Sequence, residues 1–148
     1  MTRETLLERM RAHRYAVQSS VAPDARPQSA VVGVVVSDAF EIVFDTLQST
    51  RKFANLTRDP HVAVVLGSTL ADASWSIQVE GLADQPTGAD RERLVSLYLS
   101  VFPDGLERQR WPGLAYVRVR PTWLRSSDYL VDPPEIIELD ASGLWHLP

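Results

Sequence analysis

Between residues 14 and 46 the chain makes three β-type runs joined by turns too short to cross a sheet. RYAVQSSVA (14–22) is followed by Pro23-Asp24-Ala25-Arg26-Pro27, where two prolines and an aspartate specify a turn. QSAVVGVVVS (28–37), rich in β-branched residues, predicts a buried central strand. Ser37-Asp38-Ala39 turns the chain again, into EIVFDT (41–46). A parallel neighbour would need a crossover of a dozen or more residues, so these runs read as an antiparallel meander.

The rest of the chain keeps the same grammar. HVAVVLG (61–67) and WSIQVEGLA (75–83) are strands, with residues 68–73 as a loop and Gly81 as a bulge or close-approach point. Residues 115–119 and 122–130 read as two further strands, and 136–139 as a last one. Pro133-Pro134 breaks the chain before it, and 144–147 reads as an edge segment. Three helices fit the apolar spacing. One spans 2–13, with Leu6, Leu7 and Met10 inward. One spans 50–58, capped by Ser49, with Phe53 and Leu56 inward. One runs from Thr87 or Gly88 to Val101, with Leu94, Leu97, Tyr98 and Val101 inward. Residues 102–112 read as a loop. The βαβαβ alternation of a doubly wound sheet is missing. The expectation is one mainly β domain over 1–148: a split β-barrel of six to seven mostly antiparallel strands with short helices at its rim.

Composition narrows the chemistry. The 148 residues include no cysteine, which excludes disulfides, thiolate zinc sites and a cysteine nucleophile. A net charge of -4 gives no footprint for nucleic acid or an anionic membrane. The start MTRETLLERMRAHR is charged throughout, and no apolar run approaches the ~18 residues of a spanning helix. The expected location is the cytoplasm. His13, His61 and His146 are scattered, with no metal-like spacing, and Glu8, Glu41 and Glu80 form no evident acid–base pair.

The most informative stretch is VFDTLQSTRKFANLTRDP (43–60). A strand ends, hydroxyls follow, and Arg51 and Lys52 open a helix. Cations sit badly there, because the macrodipole is already positive. Unpaired backbone N–H groups, the hydroxyls of Thr46, Ser49 and Thr50, and two cations together make a site for an anion, most naturally a phosphate. The plainer reading is a Ser49 cap with two solvated cations, at a cost of about 0.5 kcal/mol each. No glycine-rich phosphate loop is present.

At these residues the chain resembles the pyridoxamine 5'-phosphate oxidase-like family of FMN-binding split β-barrels. RPQSAVVGVVV, EIVFDTLQSTRKFANLTRDP, HVAVVLG, VEGLAD and YVRVRPTWLRSSDY match its pieces in order, from about residue 15 to 129. The resemblance implies a homodimer with FMN in a groove between two barrels. Thr50, Arg51 and Lys52 would hold the phosphate, and Thr46 would touch the flavin. The strand carrying Ala30, Val31, Val32 and Gly33 would lie beside the ring, and Ser76 and Gln78 would supply a polar contact. Departures are equally definite. Ala30 and Val35 are apolar where the true oxidases carry basic residues. The substrate-phosphate set has no counterpart around Tyr98, and Ser127 falls near a tryptophan position. Pyridoxamine-phosphate oxidation itself is therefore not expected. The resemblance implies an FMN-dependent oxidoreductase acting on a small molecule. The alternatives are a deazaflavin-dependent reductase, or a protein that sequesters flavin or haem without turnover.

Trp75, Trp111, Trp123 and Trp145 read mainly as core or interface fillers, with Trp111 and Trp123 as candidate groove walls. Arg118, Arg120 and Arg125 alternate near a strand and fit either an exposed face or a cofactor contact.

Overall fold

The computed structural model describes residues 1–67 and 74–148; the expected loop at 68–73 lies outside the described residues. The strands are β1 (Tyr15–Val21), β2 (Pro27–Gly33), β3 (Val35–Val36), β4 (Ile42–Leu47), β5 (His61–Gly67), β6 (Trp75–Asp84), β7 (Leu114–Asp128) and β8 (Glu135–Asp140). The helices are α1 (Arg3–Arg11), α2 (Arg51–Arg58), α3 (Gly88–Val101), α4 (Gly105–Arg108) and α5 (Ala141–Trp145). Seven strands follow one path, β2-β1-β5-β6-β7-β4-β3, and β8 joins β7 off that path. Every pairing is antiparallel. The sheet curls until β2 touches β4, giving the expected mainly β half-barrel with short helices around it.

The run 28–37 departs from its reading as one buried central strand. It breaks at Val34, and its two halves form opposite ends of the strand path. β2 is an edge strand paired only with β1, and Val31 is 68% exposed. The Val34 amide still donates to Arg14 O (2.8 Å) before the chain crosses to pair Val35 and Val36 with β4. One continuous valine run thus spans the two ends of a curled sheet, which local β propensity does not reveal.

The segments 115–119 and 122–130 merge into the single strand β7. Its first half pairs with β4 and its second with β8, while β6 follows it along both halves. Pro121, which has no N–H, falls where the β4 partner has ended and β8 has not begun, a position that tolerates proline. Opposite it stands Gly81, at a register shift in β6. A Cβ on Gly81 would lie 2.6 Å from Arg120 O, so the bulge and the close approach coincide.

Inside the curl lie Ala16, Val64, Leu66, Ile77, Val79, Ile42, Phe44, Val119 and Leu124, closed by Leu6 and Met10 of α1 and Leu56 of α2. Outside, α3 and the Phe102 that follows it cover one half of the sheet, packing Leu94, Val95, Tyr98 and Phe102 on Val35, Val43 and Tyr116. The other half, around β2, β1 and β5, stays bare. Two further expectations change. The 102–112 loop contains α4, whose Arg108 is tied to Asp45 at 2.7 Å. The 144–147 edge segment belongs instead to α5 and its end, because the Asp140 carboxylate accepts from Gly143 N (2.7 Å) and caps a helix.

Candidate functional site

The N-terminus of α2 opens onto a groove of about 590 Å³. Gln18 and Ser20 of β1, Gln28, Ser29 and Ala30 of β2, and Ser49 to Lys52 line it. The volume suits a small-molecule site. Strand alternation builds two walls. Gln18 pairs with Ala30 and Ser20 with Gln28, and the inner-facing partners meet α2. Asn55 Nδ2 donates to Ser20 Oγ (3.1 Å), pinning the helix to β1. The Gln28 amide bridges further: in one orientation its oxygen accepts from Asn55 (2.7 Å), in the other from Arg51 Nε (3.0 Å).

The helix cap differs from the expectation. Thr50, not Ser49, is the N-cap, and its Oγ1 accepts from Phe53 N (3.3 Å). The same hydroxyl donates to Leu47 O (2.8 Å). Its proton is therefore engaged, and in the 3.0 Å contact with Thr46 Oγ1 the Thr46 hydroxyl is the donor. Both threonines shape the strand-to-helix turn with their protons directed inward. Ser49 is freed from capping; it is exposed and lines the groove. The first turn of α2 holds no acidic residue, and Arg51 and Lys52 form no ion pair among the described residues. The Arg51 and Lys52 amides likewise have no hydrogen-bond partner among the described residues. Four features then converge on the groove: two free amides, a free hydroxyl, the helix dipole and two cations.

Of the other expected contacts, Ala30 lines the groove and Val32 points into the core. Val31 and Gly33 face the opposite side of β2, where Gly33 closely approaches Phe102. As an edge strand β2 keeps unpaired backbone groups along one side. Ser76 and Gln78 alternate with buried Ile77 and Val79, so they occupy the outer face and do not border the groove of their own protomer. Trp111, Trp123, Arg125 and Ser127 do not line it either. Arg118 is held by Asp84 (2.8 Å), Asp90 and Glu41 (both 3.2 Å), and Arg120 by Asp84 (2.9 Å), so both serve the fold. Burial pushes the Tyr98 hydroxyl pKa up, and Arg108 donates to that hydroxyl at 3.3 Å.

The main residue missed by sequence reasoning is Gln18. It is 1% exposed, and its Oε1 is buried without a hydrogen-bond partner among the described residues. A glutamine at an inward position of a strand was the available signal. The histidines stay outside the groove: His13 packs on Trp75 with centroids 5.1 Å apart, and His61 bonds Asp59 at 2.7 Å. Among the described residues no group of three metal-ligating side chains occurs, and no helix is long and apolar enough to cross a membrane.

Comparison with known proteins agrees with this architecture. No curated protein matches the chain. Among solved structures it is similar to a haem-binding protein from Mycobacterium smegmatis, at 13% identity and TM-score 0.79, over 92% of this chain. The chain spans 57% of the length of that protein. It is also similar to the haem storage protein HutZ from Vibrio cholerae, at 14% identity and TM-score 0.68, over 82% of this chain and 91% of HutZ. A pyridoxamine 5'-phosphate oxidase-related, FMN-binding protein from Nostoc punctiforme aligns at 11% identity and TM-score 0.62, over 94% of this chain and 90% of that one. At such identities these likenesses establish the fold. The family model described as pyridoxamine 5'-phosphate oxidase matches residues 2–128. The chain belongs to that family.

Proposed function

We propose that this protein binds FMN with its phosphate at the N-terminus of α2, and that it is a flavin-dependent oxidoreductase acting on a small molecule. The observation that carries the reading is the uncompensated positive end of α2 beside a polar groove. Arg51, Lys52, their amides and Ser49 would hold the phosphate. Thr46 and Thr50 hold the turn that presents them. Bound FMN would supply the hydride chemistry, while the chain orients it and shields it from water. Haem fits this groove less well, since its lining residues include no His, Cys, Met or Tyr to ligate iron.

The bare outer face supports a homodimer. Val31, Val17 and Val65 are consecutive partners across β2, β1 and β5, all exposed, and Tyr15 beside them is 63% exposed. Gln78 continues the same row, so a second copy docked here would meet Ser76 and Gln78. Their reading as cofactor contacts then requires the partner's groove. Light scattering tests the association: the wild type should run as a dimer and Val17→Lys/Val31→Lys as a monomer. A monomeric wild type would remove the dimer from the reading.

Titration with FMN, a deazaflavin and haemin, followed by visible absorption, tests the cofactor. Saturable binding of FMN with a perturbed flavin spectrum is expected. Binding of haemin or deazaflavin but not FMN would overturn it. A second reading, flavin storage without turnover, is favoured by one observation: the groove lining holds no carboxylate or imidazole for proton transfer. Bound flavin that neither NADH, NADPH nor any candidate substrate reduces would select it.

A further inference from the structure

Gln18 faces inward from the middle of β1, between Ala30 of β2 and Val64 of β5. Its side chain lines the groove yet is 1% exposed, and its Oε1 has no partner among the described residues. A buried amide oxygen left unpaired opposes folding, and an apolar side chain of similar size would avoid that penalty. Its inner-face neighbours along β1 are Ala16 and Ser20, and neither bonds its Oε1. Ser20 is already engaged with Asn55 of α2. Gln18 sits two residues further along the strand, roughly 7 Å from that anchor. A phosphate at the α2 end would therefore leave the next segment of its carrier beside Gln18.

The sign of the contact follows from chemistry. A carbonyl oxygen repels an anion and accepts from N–H or O–H. We infer that Gln18 is a ligand-recognising residue whose Oε1 accepts a hydrogen bond from a neutral donor on the molecule that carries the phosphate. The pair formed by the α2 terminus and Gln18 then orients the ligand. The anion goes to the cations, and the donor-bearing segment goes to the strand. This rests on the reading of the groove as the FMN phosphate site. FMN offers two sources of such a donor, the ribityl hydroxyls and the ring N3–H.

The experiment uses the full chain, with Gln18→Leu and Gln18→Met as independent variants. Thermal unfolding without ligand and FMN affinity by fluorescence quenching are the readouts. The expected result is an unchanged or higher Tm without ligand, with FMN affinity at least ten-fold weaker. Titration with 3-methyl-FMN separates the two sources. An equal loss on both ligands assigns the contact to a ribityl hydroxyl, and a loss on FMN alone assigns it to the ring N–H. Variants that bind FMN like the wild type overturn the inference while leaving the cofactor reading intact. A wild type that does not bind FMN overturns the cofactor reading and this inference together.

Discussion

Replacing Arg51 and Lys52 together with alanine separates what the two cations cost from what they do. Without ligand they stand at the positive end of α2, with no acid in the first turn to offset them. Each such charge costs about 0.3–1 kcal/mol. Removing both should stabilise the ligand-free protein by roughly 1 kcal/mol, or about 2–4 °C in Tm for a chain of this size. Alanine also raises helix propensity slightly, in the same direction. Binding should move the other way. A hydrogen bond to a charged group contributes about 1.5–3 kcal/mol. Solvent exposure and the Gln28 contact to Arg51 place the pair at the low end. A combined loss of about 3 kcal/mol corresponds to roughly 100-fold in Kd for FMN. Scanning fluorimetry with and without FMN reads both signs in one experiment, and titration at two salt concentrations should show a shallower salt dependence in the variant. Affinity that does not change would remove the phosphate from this end of α2. A fall in Tm without ligand would show that the cations are already satisfied within the fold.

Four other perturbations probe the frame around the site. Thr50→Ala should cost about 1 kcal/mol of stability through the lost cap. Ser49→Ala should leave stability unchanged and weaken FMN by about ten-fold or more, the worth of one hydrogen bond to a charged group; chemical denaturation and titration distinguish them. Gly81→Ala drives a methyl into Arg120 O and Val119, and should destabilise by about 1–3 kcal/mol in urea unfolding. Burial pushes the Glu41 carboxyl pKa up, but hydrogen bonds from Arg93 and Ser37, the Arg93 charge and Arg118 more than offset this and leave it below its ordinary value. A carboxyl depressed in the fold stabilises above its unfolded pKa, here near 4.5, and that contribution is lost as pH falls through the folded value. Glu41→Gln should therefore be about 3 kcal/mol less stable near pH 7. The low end of the range applies because Arg118 keeps Asp84. The variant should converge with the wild type in acid, as read by unfolding curves across pH.

Much of the local structure was legible in the chain itself. Alternation in 75–83 set which side chains face inward, Gly81 marked the bulge, and the spacing of Leu6, Leu7 and Met10 marked the buried face of α1. Arg51 and Lys52 after a strand end pointed to the candidate site, because a charge placed against a helix dipole is a local anomaly visible without a fold. Misreadings arose where neighbours in space outweighed neighbours in sequence. Thr50 became the cap because Leu47 and Thr46 already engage its hydroxyl, which left Ser49 free. The curl also set Ser76 and Gln78 on the outer face, away from the groove of their own protomer, a placement that no local pattern recorded.

The sequence by itself determined strand and helix character, the in-and-out pattern of 75–83, and the charge at the start of α2, because each depends on residues within one or two turns of each other. Only the tertiary structure decided that one valine run supplies both ends of the sheet, that β7 serves two partners in succession, and that Gln18 lies buried beside α2. Strand order depends on closing long loops around a shared core. The free energy of that closure is spread over the whole inner face, and no local pattern records it.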